Sequence, residues 1–181
     1  MIPSLQALQY LVSILDKNSS AIIPVGKVST SEPRTVDNLP YLSVSAGNIK
    51  ETAIGIGGVL LVQNTVEGGL RKVFGDRATM TLCIDIWATS TPLIEEISQK
   101  VTQFIFTNQT QLRSSGFLCL NISKISEVVS VTLGLVPPTH SYVYKRRLEY
   151  RCIYEKIAEI VNQLDCSINK PGIDTIGRIV K

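Results

Sequence analysis

Between Ala78 and Phe106 the spacing of apolar and polar positions changes once. Met80, Leu82, Ile84, Ile86 and Ala88 alternate with Thr79, Thr81, Cys83, Asp85 and Trp87, the period of two of a half-buried strand. Leu93, Ile94, Ile97, Val101, Phe104 and Ile105 then share one stripe at helical spacing. Between the two, Thr89-Ser90-Thr91-Pro92 offers a hydroxyl for the helix N-cap and a proline for the first helical position, where a missing N–H costs nothing. Glu95 and Glu96 are expected in the first turn, where the macrodipole favours negative charge. A one-faced strand leading directly into a one-striped helix predicts two elements that fold onto each other, with the rest of the chain completing their sheet.

The same reading extends along the chain. Leu5, Leu8, Leu11, Val12 and Leu15 predict an amphipathic helix from Pro3 to Lys17, ended by Asn18-Ser19-Ser20. Residues 21–40 carry Pro24, Gly26, Pro33 and Pro40 and read as an extended connection, with a short strand at Ile22 to Val25. Leu42, Val44 and Ala46 alternate with Ser43 and Ser45 in a strand, followed by a turn or loop at Gly47 to Lys50. Val59 to Val66 is a further strand, and Glu67-Gly68-Gly69 is turn chemistry, so a long hairpin with its tip at residues 67–69 returns through Leu70 to Phe74. It is either a contact arm with basic ends (Arg71, Lys72, Arg77) or an ordinary surface hairpin.

Beyond the helix, Thr107 to Ser115 reads as a loop closed by Gly116, and Phe117 to Ile122 as a short strand. Val129, Val131, Leu133 and Leu135 alternate up to Pro137-Pro138. Leu148, Tyr150, Cys152 and Tyr154 share a face opposite Arg147, Glu149 and Arg151, which predicts another strand. From Ile153 to Leu164 strand and helix periods both fit; the expectation is a strand to about Glu155 and a helix after it. Residues 167–181 show no packed pattern and read as a tail that orders on a partner. Without regular βαβ alternation, the economical fold is α+β: a mostly antiparallel sheet around the strand–helix unit, helices on one face, and a protruding hairpin. Residues 1–155 form one domain and 156–181 a C-terminal extension.

Composition adds little. Of 181 residues 44% are hydrophobic and 18% charged, a globular balance with a weakly charged surface, found in self-associating proteins and in many monomers alike. Eighteen Lys and Arg against fifteen Asp and Glu leave +3, too little to argue for nucleic-acid binding. Cys83, Cys119, Cys152 and Cys166 form no CxxC or Cys/His pair and read as reduced, mostly as small core residues, in a cytosolic setting. Met1-Ile2-Pro3-Ser4 lacks the basic segment and long apolar run of a signal peptide, and no window approaches the twenty or so apolar residues needed to span a bilayer, so a soluble, cytoplasmic protein is the expectation.

No catalytic constellation emerges. Gly55-Ile56-Gly57-Gly58 evokes a dinucleotide fingerprint, but its third glycine is misplaced and a β-like run follows instead of a helix. A flexible loop or a glycine kink fits better; a nucleotide-binding enzyme using this loop is the remote alternative. His140 has no partner for a triad or a metal. Asp85 is a single carboxylate, best explained by an arginine on a neighbouring strand. Lys145, Arg146 and Arg147 are the densest positive run, suited either to passing phosphates or to a solvated edge that discourages unwanted pairing. No cofactor, metal or catalytic residue is expected.

The segment Ala78-Thr-Met-Thr-Leu-Cys-Ile-Asp-Ile-Trp-Ala-Thr-Ser, the helix after it, and the strand Arg146-Arg-Leu-Glu-Tyr-Arg-Cys-Ile-Tyr-Glu resemble the tail terminator, or tail completion, proteins of tailed bacteriophages. The leading helix occupies the corresponding place, so the resemblance covers most of residues 1–155. The insert Ile22 to Pro40, the glycine cluster and the segment after Glu155 depart from the pattern and leave a neck or head–tail adaptor position open. The resemblance implies a non-enzymatic virion protein, assembled in the host cytoplasm, whose ring, typically of six, caps the tail tube, stops its growth and offers a surface to the head connector. It implies as partners further copies of itself, the tail tube protein, connector or neck proteins, and DNA passing without sequence-specific contact. Glu67, Gly68, Gly69, Arg71 and Lys72 would then touch a neighbour or the tube, and Lys145, Arg146 and Arg147 would face the lumen.

Overall fold

The strand predicted from Ala78 is the middle of a much longer one. The computed structural model describes residues 2–18, 20, 22–23, 27–64, 70–132 and 142–162. In chain order these form α1 (Pro3–Lys17), β1 (Val28–Ser29), a single 3-10 turn (Val36–Asn38), β2 (Tyr41–Asn64), β3 (Leu70–Ala88), α2 (Thr91–Thr107), α3 (Gln109–Ser114), β4 (Phe117–Ile125), β5 (Val129–Val131) and β6 (Val143–Asn162). The six strands make one sheet in the order β1-β2-β3-β6-β4, with β5 also on β6. Every pairing is antiparallel except β1 with β2. The fold is thus mixed α+β around a mostly antiparallel sheet, as the hydrophobic pattern predicts.

The register shows which residues must meet. Ile84 lies opposite Val44 on one side and Leu148 on the other, so one apolar row crosses the three central strands. Met80, Leu82, Ile84, Ile86, Leu148, Tyr150 and Cys152 are all buried there, joined by Ala7, Leu11, Ile14 and Leu15 of α1 and Ile94, Ile97, Val101 and Ile105 of α2. Both helices therefore cover the same face. Phe117 sits between Tyr10, with ring centroids 6.0 Å apart, and the edge of Tyr154 at 5.0 Å, in the tilted geometries that aromatic quadrupoles favour. This cluster packs the middle of α1 against the start of β4.

Several expectations change. Ile22 and Ile23 lie in a turn and a bend; the short strand is Val28–Ser29, while Pro24 to Gly26 fall outside the described residues. Gly47 to Lys50 is not a turn but a bulge inside β2, with Asn48 at φ 51°, the left-handed region that asparagine tolerates. The Thr107 to Ser115 loop contains α3, because Leu112 is buried against the core. Glu95 and Glu96 lie past the first turn of α2, and Ser90 at its N-cap makes no side-chain bond. No helix follows Glu155 up to Asn162: β6 continues and pairs with β3 to its first residue, Leu70. The second edge of β3 offered unpaired backbone groups, and satisfying them overrode the helical spacing of Ile153, Ile157 and Ile160. Cys166, Glu67 to Gly69, His140, Leu133, Leu135 and residues 163–181 fall outside the described residues.

The protruding hairpin is consequently three strands wide. Beyond Glu51, Ala78 and Tyr154 the sheet continues as residues 52–64, 70–77 and 155–162. Eight residues of β3 at ~3.3 Å each carry this arm roughly 26 Å past the helix-covered core.

Candidate assembly surface

The face of the sheet away from the helices carries a buried charge cluster. Asp85 is 3% exposed and accepts hydrogen bonds from Arg147 Nε at 2.7 Å and Nη2 at 2.8 Å. Lys145 Nζ lies 2.9 Å from Oδ2 of the same carboxylate, the oxygen that Arg147 Nη2 also reaches, and 3.1 Å from Glu32. Its ammonium also stands 4.3 Å over the Trp87 ring, a cation–π contact. Trp87, itself buried, donates from Nε1 to Ser43 Oγ at 3.0 Å. Val143, two residues before Lys145 on β6, is fully buried yet outside the main core, and Pro33, next to Glu32, is buried as well. The Glu32 contact brings the chain just after β1 over this face, while Val28 of β1 itself is buried in the main core.

Burial alone would raise the Asp85 carboxyl; the hydrogen bonds from Arg147 and Lys145 outweigh it and hold the group below its ordinary value. Arg147 is raised by its bond to Asp85, and burial pushes the neighbouring Cys83 thiol up. This is a satisfied ion-pair network, as expected of Asp85, and offers no group poised for proton transfer.

The run Lys145-Arg146-Arg147 is split by strand geometry. Arg146 points to the helix face, where Nη1 and Nη2 each donate to Glu95 of α2 at 2.6 Å. Lys145 and Arg147 point to the other face. Each of the three cations has a carboxylate partner, and adjacent strand positions cannot present one common patch.

The arm carries different chemistry. Arg71 and Lys72 lie at its far end, half-buried, opposite Gln63 and Val62. Below them, Leu60, Leu61 and Val62 of β2 and Ile157 of β6 are exposed. Leu60 folds over Gly75, where a Cβ would stand 2.7 Å from Leu60 Cδ1; the glycine makes room for a leucine on the face opposite the helices. Arg77 and Glu155, cross-strand partners, form an ion pair at the arm's base, with Nε to Oε1 at 2.7 Å. The glycines at 55, 57 and 58 lie within β2, across a register shift between Ile54 and Val59. They form neither a loop nor a cradle before a helix, so the kink reading holds and the phosphate-binding geometry does not.

At the opposite edge of the sheet, Leu118, Ile122 and Ile125 of β4 and Phe106 of α2 are also exposed. A groove of about 460 Å³ runs there between α2 and the end of β4, floored by Phe106, Ile125, Thr102 and Arg146. These two apolar edges are what sequence reading missed. The signal for the first was present, since residues 52–64 contain no charge and no proline; the second needed the strand order. Among the described residues no group of three His, Cys, Asp or Glu side chains is placed to hold a metal ion, and no helix is long and apolar enough to cross a membrane. The chain matches no family model and no curated protein.

Proposed function

We propose that the chain is a structural virion protein, a tail terminator whose ring caps the tail tube, ends its polymerisation and presents the surface for joining the head connector. The observation that carries the reading is the pair of unlike apolar edges on one sheet, β2 with the arm on one side and β4 with Phe106 on the other. Two different sticky edges associate head to tail, and head-to-tail contacts close into rings when the rotation permits. The resemblance of the Asp85-Ile-Trp-Ala strand, its helix and the Arg146 to Glu155 strand to tail terminators supports the same assignment. The network around Asp85 serves as scaffold, because its cations are neutralised within the subunit. The lumen role of Lys145, Arg146 and Arg147 accordingly contributes least to the proposal.

The test is the absolute mass of the full chain by light scattering, followed by addition to polymerising tail-tube protein. A particle near six times the chain mass, annular in negative stain, and tubes of arrested length are the expected results. Tubes that grow unchanged in its presence would overturn the terminator role. A neck or head–tail adaptor would bind connector protein and leave tube length alone.

A further inference from the structure

Among the described residues the arm has two open edges. Beyond Ser43, β2 pairs only with β3, and beyond Glu155, β6 pairs only with β3, among the described residues. Unpaired strand edges are normally guarded by charges, prolines or brevity. The β2 edge has none of these guards over residues 52–64, and its side chains Leu60, Leu61 and Val62 are 41–52% exposed. An edge of that kind survives only when something covers it.

From these edges we infer that the β2 edge of the arm pairs with the β6 edge, Lys156 to Asn162, of a second copy of the chain. β2 and β6 both run antiparallel to β3, so they point the same way, and a neighbour added in the same orientation presents β6 to β2 as a parallel partner. Each copy then satisfies one edge of each neighbour, whereas β2-to-β2 pairing would leave every β6 edge bare. The size also fits. A seam of ~26 Å, covering about 10 Å of side chains on each face, buries on the order of 500–600 Å² per partner, against the ~800 Å² of a typical stable interface, and each copy makes two such seams. Because β4 occupies the same β6 edge up to Tyr154, the two sheets must diverge where the arm meets the core. The inference rests on the ring reading for self-association and names the contact that makes it.

Cysteine cross-linking tests it. Leu61 and Glu159 both lie opposite Val73, so within one copy they are two strand spacings, roughly 10 Å, apart and beyond disulfide reach. Between copies added without stagger they are neighbours. Leu61→Cys is mixed with Glu159→Cys, or with Ile157→Cys or Val161→Cys to sample a shift of register, and oxidised beside the wild type as the background of native thiols. The expected result is a mixed dimer in one of these pairings, and at least tenfold weaker association by light scattering for Leu61→Lys/Val62→Lys. Dimers of Leu61→Cys alone would overturn the pairing in favour of β2 with β2. A large particle with no mixed cross-link would overturn the strand pairing and leave the ring; a monomer at every concentration, uncross-linked, would overturn both.

Discussion

Replacing Asp85 with Asn keeps the shape of the side chain and removes its charge. In the native protein the carboxylate receives three charge-assisted contacts, at 2.7 and 2.8 Å from Arg147 and 2.9 Å from Lys145, at a site only 3% exposed. An asparagine there would turn its amide hydrogens toward two cations. Removing one partner of a buried pair costs ~3–5 kcal/mol. The Arg147 side chain is 41% exposed and can rehydrate, which reduces its share; Lys145, at 17% and held against Trp87, cannot. The expected loss is ~2–3 kcal/mol, read by urea unfolding at fixed protein concentration so that association does not confound it. Adding Lys145→Met to Asp85→Asn should recover about 1 kcal/mol, since the stranded cation is then gone. Because Asp85 is held below its unfolded value of 3.8, its stabilisation is complete above about pH 4 and is lost as pH falls through the lower folded value. The Asn variant should therefore lose part of the parent's acid dependence in that window. A shift under ~0.5 kcal/mol, or an unchanged acid limb, would refute the reasoning that this pair carries stability.

Gly116 sits at φ +104°, where a Cβ would meet the Glu155 carbonyl oxygen at 2.5 Å. Gly116→Ala should cost at least ~2 kcal/mol in chemical unfolding, and a neutral result would mean that the turn into β4 relaxes freely. Cys152 is fully buried and burial pushes its thiol up to about 12, so alkylation at pH 8, followed by mass spectrometry, should label it only in denaturant. Its labelling in the native protein would place it outside the core. Glu95→Ala breaks the Arg146 pair at a glutamate 47% exposed, and should cost below ~1 kcal/mol with a salt-sensitive effect.

Local pattern sufficed for the elements whose two faces differ in polarity. The alternation around Met80 to Ala88, the stripe of α2 and the Leu148 to Tyr154 face are present as read, because burying one face selects a single register and period. The leading helix keeps its bounds, but Leu5 is exposed and Ala7 and Ile14 are buried in its stead. Even Asp85's arginine was foreseeable, since a lone carboxylate on a half-covered strand needs a cation. Three things were decided elsewhere in the chain. Ile2 at the start of α1 supplies no cap, and the helix is capped by a residue 47 positions away: Glu51 accepts from the Ser4 backbone N–H at 3.1 Å and from its hydroxyl at 2.5 Å. The run Lys145-Arg146-Arg147 looks like one patch in sequence, and strand alternation divides it between two faces with separate carboxylates. The residues after Glu155 carry a spacing that suits helix or strand equally, so their own side chains could not choose. The open edge of β3 made the choice, because backbone hydrogen bonds left unmade between Leu70 and Arg77 weigh more than a weak local preference.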